Sequence, residues 1–215
     1  MMKTPAELIC TIGKKIYRQG FVAANDGNIS ARIDPRAFLI TPTGISKGSL
    51  DAESLITIRG NKIEGPLKPS SEYKMHQAIY AVRSDITGII HVHSPYATAF
   101  AMLGIGMSEL LFPEVVVTLG KIPLVPYRTP STQAFADVVG EYAERADVLL
   151  LERHGIVSSG VDLWDAYYKL ERAEHVFKIL AIARSLGKVK SLSRSEVDEL
   201  LAAYPVSELV RKLIR

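Results

Sequence analysis

Cysteine is almost missing from this chain: Cys10 stands alone in 215 residues, which excludes a disulfide framework and a cysteine-based metal site. An excess of charge of either sign is lacking too. Against 26 Lys and Arg stand 23 Asp and Glu, leaving a net charge of +3 and no basic cluster. Nucleic acid is therefore not an expected partner. An anionic metabolite remains open, because net charge says nothing about one local site. No apolar run approaches the roughly 20 residues of a membrane span, and the opening MMKTPAELIC lacks the apolar core of a secretion signal. No membrane partner is expected, and the location expected is cytoplasmic. Low-complexity linkers and internal repeats are absent as well, so a single domain over 1–215 is expected. What is present is ordinary globular composition, 47% apolar and 23% charged, enough for one well-buried core. Cys10 reads as a small residue of that core.

Thr4-Pro5-Ala6-Glu7 has the form of a capping box with proline at the first helical position. Leu8, Ile12 and Ile16 follow at fourfold spacing up to Gly20, which predicts a helix over about 5–19. Strands are predicted at 28–33 and 37–42, and as a hairpin over 54–65 turning at Gly60-Asn61. A helix opens at Pro69-Ser70-Ser71-Glu72 and runs to about Val82. The segment 85–93 reads as a strand and Ser94-Pro95 as the start of a helix. KIPLVPY, ADVLLLERH and GIVSSG read as strands, with a helix at about 131–144 between the first two. Asp162 caps a long helix ended by Gly187, and two short helices split at Pro205 make up the tail from Ser193. Hairpins mixed with helices predict an α/β fold, a three-layer αβα sandwich whose central sheet is mainly antiparallel.

Chemistry concentrates in a few places. In a strand, residues i and i+2 share a face, so His91 and His93 project side by side. Packing, hydrogen bonding in the sheet and metal binding are all open for such a pair. His154 follows a buried run and precedes Gly155, at a strand end before a tight turn. Glu72, in the first turn of a helix, either complements the helix dipole or joins the histidines. Three imidazoles and one carboxylate would make a four-ligand set for zinc. His76 and His175 lie on predicted helices and read as packing or supporting residues. Ser70 and Ser71 stand at a helix N-terminus, where they serve as caps or as an anion site. The turns Asn25-Asp26-Gly27-Asn28 and Thr41-Pro42-Thr43-Gly44 could approach the same anion.

Taken in order, NDGNIS (25–30), ITPTG (40–44), KPSSEYKMH (68–76), HVH (91–93), GKIPLVPY (120–127) and ERHG (152–155) resemble the class II sugar-phosphate aldolases. That family is typified by fuculose-1-phosphate aldolase and ribulose-5-phosphate 4-epimerase, and the resemblance runs from about residue 20 to 175. It implies one Zn²⁺ per subunit on His91, His93 and His154. Glu72 is implied as the catalytic acid/base that also touches the metal, and Asn28, Thr43, Gly44, Ser70 and Ser71 as the phosphate site. It also implies a central antiparallel sheet between helical layers, a phosphorylated sugar as substrate and a homotetramer.

The activity so implied is reversible cleavage of a ketose 1-phosphate into dihydroxyacetone phosphate and an aldehyde. Pentulose-5-phosphate 4-epimerases, and sugar-phosphate decarboxylases and dehydratases, share the zinc site. Adducin, a cytoskeletal scaffold, shares the fold without the histidines. One position departs from the aldolases: Phe112 falls where they carry a proton-donating tyrosine. Glu114, Tyr127 and Tyr204 are the nearest substitutes, and Arg128 and the C-terminal tail, about 193–215, are expected to complete the aldehyde side and cover the active site.

Overall fold

The computed structural model describes residues 3–214; positions 1, 2 and 215 of the expected domain lie outside the described residues. The N-terminal signal is realised as read. The Thr4 hydroxyl accepts the Glu7 backbone N–H at 3.3 Å, and the Glu7 carboxylate accepts that of Thr4 at 2.7 Å. Helix α1 (Pro5–Arg18) follows. Its buried stripe is Ile9, Ile12, Gly13 and Ile16, with Leu8 only partly covered. Cys10 is half-buried against the same core.

Strands β1 (Asn28–Asp34), β2 (Ala37–Ile40), β3 (Ile56–Arg59) and β4 (Lys62–Glu64) form a meander, with the β3–β4 turn at Gly60 and Asn61. Helix α2 (Tyr73–Val82) leads to β5 (Gly88–Val92), which returns to pair with β1. After α3 (Pro95–Met102) and α4 (Pro113–Thr118) come β6 (Leu124–Val125), α5 (Gln133–Ala143), β7 (Val148–Leu151) and β8 (Gly155–Gly160). The long α6 (Leu163–Leu186) and the tail helices α7 (Arg194–Ala203) and α8 (Glu208–Ile214) complete the chain. The strand order is β4-β3-β2-β1-β5-β8-β7-β6. Among the described residues every pair is antiparallel except β6–β7.

The strand period of two sorts the core onto the two faces. Ile90 and Val92 of β5 join Ile9, Ile12, Phe100, Leu170 and Phe177 under α1, α3 and α6. Ile89 joins Met75, Ile79, Phe135, Val139 and Val157 under α2 and α5. This is the three-layer arrangement that the mixed hairpins and helices predict. Each fully buried Ile or Leu contributes about 1.5–3 kcal/mol, so both layers are held by burial rather than by surface charge.

Several boundaries depart from the sequence reading. KIPLVPY yields only the two residues of β6, because Pro123 and Pro126 flank it and lack the N–H that a ladder needs. Helix α4 was not foreseen: its PEVVVT is rich in β-branched residues, which favour strands. Tertiary packing overrides that preference. Val116 is buried against Val197, Val210 and Ile214, so α4 is the platform on which both tail helices dock. No helix among the described residues is long and apolar enough to cross a membrane.

A candidate metal centre at the end of the sheet

Strand register brings the site together. Asn28, the first residue of β1, pairs directly with His91 near the end of β5, and His91 pairs with Val157 of β8. His91 and His93 share the α2/α5 face with Ile89. His154 closes the turn 152–154 that links β7 to β8. His154 is thus the last residue of the tight turn itself, not a strand-end residue standing before it. Arg153, at φ 58, takes the left-handed conformation within it. Gly155 is required by close approach: a Cβ there would lie 2.4 Å from the Val92 carbonyl oxygen and 2.9 Å from the His93 ring. Gly27 is held similarly, at φ 75 with room for no Cβ beside the His91 carbonyl.

The second correction concerns Glu72. Helix α2 begins at Tyr73, because Ser70 closes a turn first. Its hydroxyl accepts the Glu72 N–H at 3.3 Å and its carbonyl accepts the Tyr73 N–H at 3.1 Å. Glu72 is thus the residue before the helix. Its side chain caps nothing and turns toward the histidines instead of the helix dipole.

The three rings form a near-equilateral cluster, with centroids 5.1, 4.7 and 5.1 Å apart. One ligand nitrogen from each lies within 4.8 Å of the others. Glu72 closes the fourth side, with Oε2 3.3 Å from His91 Nε2 and Oε1 3.2 Å from His154 Nε2. Tetrahedral zinc at about 2.0–2.1 Å from its ligands sets them about 3.3 Å apart, so this spacing fits an ion at the centre.

Protonation makes the same point. His91 Nδ1–H donates to the Ile156 carbonyl at 3.0 Å, which leaves Nε2 as a lone pair. Burial, and then the neighbouring His154 and His93, hold its pKa well below the usual histidine range. Burial pushes His154 down to about 4. A neutral imidazole lone pair then faces a carboxylate oxygen in a buried site, an arrangement that is repulsive unless a cation lies between. Glu72 Oε1, His91 Nε2 and His93 Nε2 are buried without a hydrogen-bond partner among the described residues, and His154 Nε2 faces the same Oε1. Such orphaned atoms are costly in a folded interior, and a divalent ion is what this donor set would satisfy. Behind the ring, the Asp26 carboxylate stands 3.5 Å from His93 Nδ1.

Glu72 is held from below. Asn28 Nδ2–H donates to Oε2 at 2.9 Å, and Asn28 Oδ1 meets His76 Nε2 at 2.5 Å. Burial raises the Glu72 pKa, and the Asn28 hydrogen bond opposes that rise. His76 is fully buried, which pushes its pKa down to about 3. Since the folded value lies below the unfolded one, the unfolded chain takes up the proton first as pH falls. The stability at stake is whole above about pH 6.5 and is lost toward pH 3, at up to roughly 1.4 kcal/mol per pH unit. Thermal melts between pH 7 and 4 should accordingly show a shallower acid loss for His76→Phe than for the parent. Equal slopes would place the acid sensitivity elsewhere.

The remaining site residues cluster on one side. An isolated bridge joins Pro42 to Pro69, and Thr43 N–H donates to the Lys68 carbonyl at 3.1 Å. This sets Thr43 and Gly44 beside Ser70 and Ser71. Thr43, Gly44 and Ser71 are exposed, Ser70 and Asn28 buried. Lys47 ties the two Gly-bearing turns together from beneath, its ammonium donating to the carbonyls of Asn25 at 2.9 Å and Ile45 at 2.7 Å. Burial brings its pKa down to about 8 against the pull of Asp26. Tyr127 is exposed under the Arg153 guanidinium, 5.9 Å from its ring. Phe112 caps α4 and packs half-buried on the α1/α3/α6 core. The tail's buried residues go to α4.

Lys47, Asp26 and the role of His76 were not legible as site features. A lysine after a turn and an aspartate within one carry no local signal, and His76 reads as any histidine on a helix.

Comparison with known proteins agrees with this geometry. The family described as Class II Aldolase and Adducin N-terminal domain matches residues 7–181. A 3-oxo-tetronate 4-phosphate decarboxylase of Haemophilus influenzae is 33% identical over 200 residues, covering 90% of this chain and 94% of that one. An L-fuculose phosphate aldolase of Methanococcus vannielii is 38% identical over 175 residues, covering 80% and 93%. Among solved structures, YgbL of Klebsiella pneumoniae superposes with a TM-score of 0.83 at 30% identity, over 91% of this chain and 97% of its own. A family match spanning the sheet and every histidine of the cluster leaves one assignment: the chain belongs to the class II aldolase and adducin N-terminal domain family.

Proposed function

We propose that the protein is a metal-dependent lyase that acts on a phosphorylated hydroxyketone and breaks the carbon–carbon bond on the far side of the carbon next to the ketone. In its first reading it is an aldolase that converts a ketose 1-phosphate to dihydroxyacetone phosphate and an aldehyde. The observation that carries this is Glu72: one carboxylate oxygen is held by Asn28, while the other is free beside three convergent histidines. A divalent ion on His91, His93 and His154, zinc in the family's pattern, supplies Lewis acidity toward charge building on the ketone oxygen and its neighbouring hydroxyl.

The chain's own groups do the rest. Ser70, Ser71, Thr43, Gly44 and the second amide hydrogen of Asn28 hold the phosphate, so binding energy remote from the reacting bond fixes the reacting carbon. In the cleavage direction the hydroxyl on the departing carbon loses its proton to a solvent water, since Phe112 cannot take it. The bond's electron pair stays on the carbon next to the ketone, and Glu72 delivers a proton to that carbon. In the synthetic direction Glu72 removes it. Ser71→Ala should raise KM about tenfold or more for a phosphorylated substrate, the size of one hydrogen bond to a charged group, and leave an unphosphorylated analogue unaffected. An equal effect on both would put the phosphate elsewhere.

A decarboxylase is the second reading. It is favoured by the relative of that name matching 90% of this chain and by the apolar Phe112. A 3-oxo-tetronate 4-phosphate carries the same phosphate, ketone and hydroxylated carbon. Loss of CO₂ leaves the same enediolate, and a proton from Glu72 gives the same dihydroxyacetone phosphate. Decarboxylation needs no group to take up or return an alcohol proton, the task that a phenylalanine cannot do.

Incubating the metal-loaded protein with ketose 1-phosphates, pentulose 5-phosphates and a 3-oxo-acid phosphate separates the readings by product. Aldehyde release supports the first and CO₂ the second; an epimer or loss of water would move the assignment to epimerase or dehydratase. A protein that turns over none of them and holds no stoichiometric metal would be a scaffold. The same reading carries a homotetramer, for which Met102 and Leu103, 68% and 71% exposed, offer apolar surface to cover. Sedimentation as a monomer would remove that part.

A further inference from the structure

One buried polar chain leads away from the metal centre into the α2 layer. His76 is fully buried, with Nε2 2.5 Å from Asn28 Oδ1 and Nδ1 2.6 Å from Ser30 Oγ. Ser30 Oγ lies 2.9 Å from the Tyr80 hydroxyl, and that hydroxyl lies 3.2 Å from the Thr87 carbonyl oxygen.

Valence leaves one consistent direction for these bonds. A carboxylate only accepts, so Asn28 turns its N–H to Glu72 and its oxygen to His76. His76 must then carry its proton on Nε2. Its Nδ1 in turn accepts from the Ser30 hydroxyl, while the single Tyr80 hydrogen is shared between Ser30 Oγ and the Thr87 carbonyl oxygen. Every donor from Ser30 onward points toward Glu72. Turned end for end, the Asn28 amide would set its oxygen against the Glu72 carboxylate, a repulsive contact in a dry interior that neither tautomer of His76 relieves.

We infer that His76 is a positioning residue for the reaction: it locks the Asn28 amide so that Glu72 Oε2 is held and Oε1 is left as the oxygen that carries the proton. This rests on the reading of Glu72 as the acid/base. It adds a residue that touches neither substrate nor metal, and it assigns separate tasks to the two carboxylate oxygens. Glu72 directly precedes α2 and His76 lies in its first turn, so the two are near in the chain. Ser30 is two residues from Asn28, on the same face of β1.

The test follows exchange of the carbon-bound proton of dihydroxyacetone phosphate with deuterated solvent, in metal-loaded protein. This half-reaction is common to the aldolase and decarboxylase readings. At saturating dihydroxyacetone phosphate His76→Phe should lower exchange about tenfold, with metal stoichiometry within about twofold of the parent. In an Asn28→Ala background the same substitution should cost less than about twofold, because its route to Glu72 is already gone. A merely structural role would cost the same in both backgrounds, and that result, or parental exchange in His76→Phe, overturns the inference.

Glu72→Gln run alongside tells the two proposals apart. Parental exchange there removes the acid/base reading itself, whatever His76 does. Should His76→Phe fail to fold, nitrogen-15 spectra of the unaltered protein decide, since the geometry requires His76 neutral with its proton on Nε2. A proton on Nδ1 would overturn the assignment.

Discussion

His154→Ala is expected to empty the metal centre and to lower turnover by 10²–10³-fold or more, about the loss that follows removal of one preorganised electrostatic donor. His154 comes from the β7–β8 turn, whereas His91 lies in β5 and His93 directly follows that strand. Without it that pair and Glu72 are left around an ion that prefers four ligands. Elemental analysis after dialysis should find stoichiometric metal in the parent and little in the variant. Thermal melts give an independent readout: zinc at 100 times its dissociation constant should stabilise the parent by about 2.7 kcal/mol and leave the variant nearly unmoved. The competing account is that His154 is a packing residue, since its ring lies 5.5 Å from that of Phe135. On that account the variant loses stability yet keeps its metal, and a dialysed His154→Ala protein that retains stoichiometric zinc would establish it.

Glu72→Gln should have the second largest effect and a different signature. Glutamine keeps the volume and an oxygen for the Asn28 N–H, and the three histidines are untouched, so metal content and substrate binding should survive. What disappears is a group able to carry a proton at the reacting carbon. General acid–base catalysis of this kind is worth about 10²–10⁴-fold, and exchange of the carbon-bound proton with solvent should fall by that amount. Undiminished exchange would remove Glu72 from the role. The two variants thus separate the functions that meet at this point: loss of metal with His154, loss of proton transfer with metal in place at Glu72.

Local sequence carried much of the architecture, and particular elements explain why. Helix α1 was legible because its start is written in contiguous residues, Thr4 to Glu7, whose hydrogen bonds are made among themselves. The Asp162 cap of α6, which accepts from Asp165 N–H at 2.8 Å, is legible for the same reason. Helix α4 was not, because its three valines favour a strand and only the apolar tail helices, far along the chain, make a helix of them. Glu72 shows the same limit on a smaller scale: Ser70 closes a turn that no spacing rule announces, and so moves Glu72 from the helix to the residue before it.

By itself, then, the sequence determined the α/β class, the pairing of His91 with His93 on one face, and the residue types a metal and a phosphate would need. Each follows from a period of two or 3.6, or from side-chain chemistry, neither of which depends on distant partners. Only the tertiary structure decided that His154 meets that pair, that Glu72 closes the ring, and that Asn28 lies between Glu72 and His76. Those contacts join residues dozens of positions apart, and strand register together with burial, rather than any local preference, chooses which side chains face one another.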